Sequence, residues 1–424
     1  MTISSPAHLA RAQQILDRCA SLALLTEDPP RISRTFLSPP MRACHQQIED
    51  WLRPLGVATS LDAAGNLHGL YPGTAPAHAS PKLLIGSHLD TVPDAGRYDG
   101  ILGVVLAISL IESLEGRRLP FAIEVLGLSE EEGVRFGVPF IGSRALVGRL
   151  DEELLGLRDA HGTSVKQAIL AYGLNPAAIS QAELDSNAVG YLEFHIEQGP
   201  ILEDRNLPLG IVEAIAGQTR MELFFSGVAN HAGTTPMNLR HDALVAAAEW
   251  AVAVEKEAQT TSGLVATVGA LEAKPGVINV IAGECWATLD VRHGSDSQRE
   301  LSVKNLLHSA EEIARRRGVS VTFTTRLIQA AVPMDDFIAH EIETACSRAG
   351  VKPHPMVSGA GHDAMILAEK VPAAMIFLRS PGGISHNPKE SVLLEDVAKA
   401  LECGLHLLDQ LAASPEFLSR TRRA

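Results

Sequence analysis

Between positions 219 and 327 the hydrophobic pattern alternates between a period of two and a helical period in a fixed order. It reads strand 219–226, helix 242–258, strand 264–272, strand 284–292, helix 296–317 and strand 320–327. A β-α-β-β-α-β order closes on itself as a split βαβ, or ferredoxin-like, unit: one sheet with both helices on one face. The rhythm on either side is different. Helices are expected over 7–24, 41–55 and 101–114, with strands near 66–70, 82–87 and 121–128. After the central unit come a helix over 335–349, a strand over 373–378 and a helix over 394–411. Strands as apolar as Leu83-Leu84-Ile85 suit a sheet covered on both faces. The expectation is therefore an α/β domain built from 1–216 and 330–424, interrupted by a small domain over 217–329. That domain would be joined by a double hinge near Gly217 and Gln329, so it could rotate as a unit.

A chain of 424 residues, 46% hydrophobic and 20% charged, is long enough for two or three cores and too apolar for disorder. Its 36 basic residues against 50 acidic ones give a net charge of −14, which disfavours nucleic acid as a partner. The best apolar run, 101–111, contains Ser109 and stops at Glu112, short of the roughly 18 residues of a spanning helix, so no membrane is expected. Arg11, Asp17 and Arg18 stand where a signal peptide would be apolar, which points to the cytoplasm. Five scattered cysteines with no C-x-x-C indicate neither a disulfide framework nor a thiolate metal site. The 10-residue segment 72–81 is a Pro/Ala/Gly-rich loop.

Four short segments gather residues that could carry chemistry. Gly86-Ser87-His88-Leu89-Asp90 follows a strand and precedes Tyr98-Asp99-Gly100. At i and i+2, Asp90 can orient the His88 imidazole while the other ring nitrogen binds a metal, although a strand-end histidine and an Asp-Gly turn read the same way. Ser129-Glu130-Glu131-Glu132-Gly133 also follows a strand. Alone it would be a solvated charge run, but at a sheet edge shared with His88 and Asp99 it can bind a cation and supply a general base. In 191–200, Glu193, His195 and Glu197 alternate onto one face, which predicts a half-exposed strand or a ligand-bearing one. Gly382-Gly383-Ile384-Ser385-His386-Asn387-Pro388 holds a histidine in a rigid loop or an ordinary turn.

In content and order, this set resembles the M20 metallopeptidase superfamily over about residues 7–411. It is most similar to the amidase/hydantoinase/carbamoylase branch, which contains allantoate amidohydrolases, N-carbamoyl-L-amino acid hydrolases and β-ureidopropionases. The resemblance implies a Zn-exopeptidase-like catalytic domain with an inserted ferredoxin-like lid that also dimerises. It implies two divalent ions per subunit, Zn or Mn with Co also suitable. His88 and His386 would be terminal ligands to different ions, Asp99 the shared ligand, and Glu132 a ligand to the ion opposite His195. Glu131 would be the general base; a shift by one residue, with Glu130 as base and Glu131 as ligand, stays open.

In the lid, Asn230-His231-Ala232-Gly233-Thr234-Thr235-Pro236-Met237 resembles the family's substrate-histidine loop, so His231 would stabilise an oxyanion, reaching the neighbouring subunit of a homodimer. Asn279 and Arg292 would grip the substrate's amide and carboxylate and Gln198 its ureido group, and Gly361, in the segment 358–365, would also bind substrate. The implied reaction is hydrolysis of a linear C–N amide in a ureido acid, with allantoate giving ureidoglycine, ammonia and CO2. Arg379-Ser380-Pro381 departs from the pattern of many bacterial members. An N-carbamoyl-L-amino acid hydrolase, a peptidase or aminoacylase, and an inactive binding scaffold remain as alternatives; the last is disfavoured because all five ligands and a base are present.

Overall fold

The computed structural model describes residues 4–75 and 80–420; residues 76–79 of the Pro/Ala/Gly-rich loop lie outside the described residues. The chain forms two compact units. One comprises Met1–Glu213, Met334–Met356 and Gly361–Ala424, and the other Ala214–Pro333 with Val357–Ala360. The second unit thus starts three residues before and ends four after the expected 217–329, and it also takes in a short segment from beyond the second hinge.

In the first unit, four parallel strands form the centre of a sheet in the order Ala122–Leu128, Lys82–His88, Ala188–Ile196, Ala373–Leu378. Antiparallel strands flank them: Leu67–Tyr71 and Ala58–Leu61 on one side, Leu209–Ile215 on the other. One face is covered by helices Pro6–Ala23, Ile101–Ser113, Asp336–Arg348 and Leu394–Ala413, which share a single apolar core with the strands. The Ile101–Ser113 helix is buried over every residue from Ile101 to Ile111, because it lies between the sheet and the two outer helices. Its all-round apolarity is therefore that of a core helix. No helix among the described residues is long and apolar enough to cross a membrane.

Close packing of this helix on the sheet depends on Gly103. A Cβ at that position would sit 2.2 Å from the Phe194 carbonyl oxygen and 2.9 Å from Ser87 Cβ. Both neighbours belong to central strands that cannot give way. Gly103→Ala should therefore destabilise the protein by about 1–3 kcal/mol despite the better helix propensity of alanine. A urea midpoint equal to or above that of the wild type would contradict this packing argument.

The second unit has the expected order of elements. Its antiparallel sheet runs Leu271–Lys274, Glu284–His293, Gly217–Ser226, Ser320–Gln329, with helices Ala243–Thr260 and Asp296–Arg317 packed on it around Trp250, Leu223 and Phe225. The single strand expected over 264–272 is in fact two, Val265–Thr267 and Leu271–Lys274, both paired with Glu284–His293. Thr267 faces Asp290 and Leu271 faces Ala287, so four steps on one strand match three on the other. The extra residue is a bulge, and Thr288 Oγ1 accepts the Ala270 N–H freed there.

A second correction concerns Ala188–Ile196. The alternation of Glu193, His195 and Glu197 leaves open a half-exposed strand or a ligand-bearing one; all nine strand residues are buried, as is Glu197 just beyond, which excludes the half-exposed strand. Strands pair along both of its edges, and the helices Ile101–Ser113 and Asp363–Leu367 pack on it, so no face is left to solvent. The polar groups find partners instead: Glu193 accepts from Ser87 Oγ at 2.7 Å and Ala364 N at 3.1 Å, and Glu197 accepts from the N–H groups of Ile201 and Leu202.

Candidate functional site

The four parallel strands deliver the polar segments to one edge, because in such a sheet all the C-terminal ends point the same way. His88 closes Lys82–His88, Ser129–Glu132 follows Ala122–Leu128, His195 ends Ala188–Ile196, and the loop bearing His386 follows Ala373–Leu378. Asp99 precedes the Ile101–Ser113 helix. Gly100 next to it has φ +69°, and a Cβ there would lie 2.6 Å from the His88 ring, so only glycine lets Asp99 and His88 approach this closely.

The five expected ligands come together as two triads sharing one residue. One ligand atom each from His88, Asp99 and His195 lie within 4.8 Å of one another, and so do one each from Asp99, Glu132 and His386. Asp99 Oδ1 faces His195 Nε2 at 3.1 Å and His88 Nε2 at 3.4 Å; Oδ2 faces His386 Nε2 at 3.5 Å, which in turn is 3.4 Å from Glu132 Oε1. The two buried imidazoles are oriented alike. His88 Nδ1 donates to the Asp90 carbonyl at 3.0 Å and His195 Nδ1 to the Ile196 carbonyl at 2.8 Å, which leaves each Nε2 lone pair aimed at Asp99. His195 Nε2 and Asp99 Oδ1 are fully buried, and neither has a well-aligned hydrogen-bond partner. Two acceptors converging in a dry site, surrounded by further nitrogen and carboxylate donors, are what a divalent cation requires, so this donor set fits the implied ions.

The acidic run is divided by its environment. Glu130 turns away: its carboxylate accepts from the backbone N–H groups of Phe36, Arg135 and Phe136, at a left-handed φ of +53°. Glu131 and Glu132 both lie near His88. Burial pushes the Glu131 carboxyl well above its ordinary range; the charges of Glu132, Asp363 and Asp90 add to this, and His88 opposes it. Asp99 goes the other way. Burial alone would raise it, but His195 and His88, when protonated, hold it well below the usual carboxylate range.

Asp90 does not do what the i, i+2 spacing suggested. The strand ends at His88, and beyond it the Asp90 carboxylate lies 3.7 Å from His88 Nδ1. It accepts instead from Glu131 N at 3.0 Å and Glu132 N at 3.1 Å, so it holds the backbone of the acidic run while its own carbonyl orients the imidazole. Gln198 likewise has a prior engagement: its Nε2 donates to Asp99 Oδ2 at 2.9 Å, leaving Oε1 without a partner. Gly361 is exposed and offers only its backbone.

Other groups at this edge were not singled out from sequence. Ser385 Oγ donates to Asp99 Oδ2 at 2.9 Å. Glu390 Oε1 accepts from Tyr98 N at 2.9 Å and Asp99 N at 3.2 Å. The His362 ring packs edge-on against His195, with centroids 4.5 Å apart. The Gly361-His362-Asp363 run could have flagged His362; no local pattern marks Glu390, 291 residues from Asp99. Gln198 and His386, like Glu130, adopt left-handed backbone with φ of +60° and +52°. Such conformations are costly for residues with a Cβ and concentrate at sites whose geometry is over-determined.

In the second unit, Asn230–His231 pairs with Val280–Ile281, and the Asn279 carbonyl accepts from Ala232 N at 2.9 Å, so the histidine loop and the Asn279 turn are neighbours. Arg292 is not an open fork. Its Nε and Nη2 both donate to the Asp290 carboxylate at 3.0 Å, and Nη1 donates to the Gly359 carbonyl at 2.7 Å. Three of the five guanidinium N–H groups are thereby used and two are left on the terminal nitrogens.

Comparison with known proteins gives the family of the whole chain. The chain is 37% identical to the N-carbamoyl-L-amino acid amidohydrolase of Geobacillus stearothermophilus, over 95% of this chain and 99% of that one. It is 38% identical to a protein of Oryza sativa subsp. japonica named "Probable allantoate deiminase", over 93% of this chain and 87% of that one. A crystal structure of a hydantoinase/carbamoylase family amidase from Burkholderia ambifaria superposes with a TM-score of 0.86 at 32% identity, covering 94% of this chain and 96% of that one. The model of Peptidase family M20/M25/M40 matches residues 84–410, from the strand that carries His88 to the last long helix, and the chain belongs to that family.

Proposed function

We propose that this protein is a metal-dependent amidohydrolase that cleaves a linear C–N amide of a ureido acid, with allantoate as the preferred substrate. The observation that carries the reading is the pair of ligand triads meeting at Asp99. His88, Asp99 and His195 would hold one divalent ion and Asp99, Glu132 and His386 the other; when bound, the ions supply Lewis acidity to the scissile carbonyl and make water a better nucleophile. The remaining chemistry belongs to side chains. Glu131 takes the proton of the attacking water and passes it to the leaving nitrogen as the C–N bond breaks; its buried, acid-rich setting raises its affinity for that proton. Asp90 keeps Glu131 and Glu132 in register through their backbone N–H groups. Gln198, held beside Asp99 by its Nε2, is the partner proposed for the ureido group. His231 and Asn279 bind the substrate's polar groups, and Arg292 its carboxylate through its two remaining N–H groups. Because Asp290 already orients that guanidinium, Arg292→Lys should lower kcat/KM for ureido acids by about tenfold or more. An unchanged value would remove Arg292 from the site.

The curated relatives include both allantoate deiminases and N-carbamoyl-L-amino acid amidohydrolases at similar identity, so the second activity is the alternative. The test is ammonia release from allantoate and from N-carbamoyl-L-amino acids, and amino-acid release from a dipeptide, assayed after reconstitution with Zn, Mn or Co. Turnover of the dipeptide alone would overturn the reading.

The protein is also proposed to be a homodimer assembled through its second unit. Of the 18 large apolar residues exposed among the described residues, 14 lie in that unit, including Met237, Leu239, Val252, Val265, Ile278 and Ile328. So uneven a distribution on one small unit favours a protein-facing surface. His231 is proposed to act on substrate held by the partner subunit. Mixing His231→Ala with Glu131→Gln subunits, each nearly inactive alone, should then restore activity on subunit exchange; no recovery would refute action in trans. A reducing, cytoplasmic setting is supported by five free cysteines, all buried.

A further inference from the structure

The loop that carries His231 is closed by bonds that determine which nitrogen of the ring holds a proton. His231 Nδ1 accepts from two backbone donors, Gly233 N at 3.0 Å and Thr234 N at 3.2 Å. A nitrogen that accepts two N–H groups carries no hydrogen of its own, so in the neutral ring the proton sits on Nε2, across the imidazole. The turn that brings these donors round is itself pinned. Thr235 Oγ1 donates to the His231 carbonyl at 2.9 Å, and Ala232 N donates to the Asn279 carbonyl. Gly233 permits the close approach, since a Cβ there would stand 3.2 Å from His231 Cε1.

One side chain spans the loop. Arg240 donates from Nε to the Thr235 carbonyl at 3.1 Å and from Nη2 to the Ala232 carbonyl at 2.6 Å. These two carbonyls flank the Gly233 and Thr234 N–H groups that hold the ring, and only a planar fork reaches both at once. We propose that Arg240 is a positioning residue: by clamping Ala232 and Thr235 it closes the loop on His231 and fixes the neutral Nε2–H tautomer, which donates a hydrogen bond to the substrate's developing oxyanion. This makes His231 a donor rather than a proton-abstracting base. The inference rests on the proposed amidohydrolase reading for the oxyanion, but not for the tautomer.

The experiment uses the full-length protein labelled with [15N]histidine. Long-range proton–nitrogen correlations are recorded near neutral pH, and the His231 signal among the 16 histidines is identified by its loss in His231→Gln. The wild type should show a protonated Nε2 and a lone-pair Nδ1; the opposite tautomer, or a doubly protonated ring, overturns the inference. In Arg240→Lys, which keeps the charge but not the fork, the two tautomers should mix, and kcat should fall about tenfold with KM and metal content near wild type. Thr235→Val, which removes one pin without touching Arg240, should shift the same signals less. A retained tautomer in Arg240→Lys, whatever its kcat, overturns the positioning role. Full turnover by His231→Ala, which removes the donor, would overturn the oxyanion role, and with it the functional reading of this loop, while leaving the tautomer result standing.

Discussion

Asp99→Ala is expected to yield a folded protein that retains neither metal ion and has no measurable turnover. Asp99 is the one residue common to both triads, and its two oxygens are shared between them: Oδ1 faces His88 and His195, Oδ2 faces His386. Without it each proposed site would keep only two of its three side-chain ligands, and metal affinity falls steeply with donor number and charge. The carboxylate is also held by Gln198 and Ser385, and the Glu390 carboxylate accepts from the Asp99 backbone N–H, so a neighbouring acid cannot swing into its place without dismantling that cage. Elemental analysis of purified Asp99→Ala beside wild type decides the matter; two equivalents of metal in the variant would show that the shared ligand lies elsewhere.

Glu131→Gln should lower kcat by about 10² or more while metal content stays near wild type, because the amide keeps the shape of the side chain and loses only proton acceptance. Glu132→Gln should do the reverse, losing metal first, since Glu132 Oε1 lies against His386 Nε2. The contrast tests the register of the acidic run. Glu130 is a poor candidate for either role with three backbone N–H groups on its carboxylate. Metal loss in Glu131→Gln with full metal in Glu132→Gln would move both assignments back by one residue.

Much of this was legible before any coordinates. The β-α-β-β-α-β order of the second unit could be read because each element is long enough for its period to show, and the helix Asp296–Arg317 falls at its expected limits. Shorter elements escaped: the strands Ala58–Leu61 and Pro355–Ser358 have four residues each, too few for alternation to stand out. The bulge that divides Val265–Thr267 from Leu271–Lys274 was invisible because it depends on what the partner strand offers opposite.

The site divides in the same way. Residue order sets which residue types stand at the ends of strands, and so which histidines and carboxylates can meet at one sheet edge. How they are used depends on the packing of distant segments. Glu193 and His195 are buried because helices pack on the strand that carries them; the Asp90 carboxylate serves two backbone N–H groups and not the histidine two positions before it; and Arg292 has three of its five N–H groups taken by Asp290 and the Gly359 carbonyl. Periodicity reports the conformation of a segment, which short-range sterics and hydrophobicity set. The partner of a polar group is set by strand register and loop closure between segments that can be hundreds of residues apart, as Asp99 and Glu390 are, and no local pattern encodes that distance.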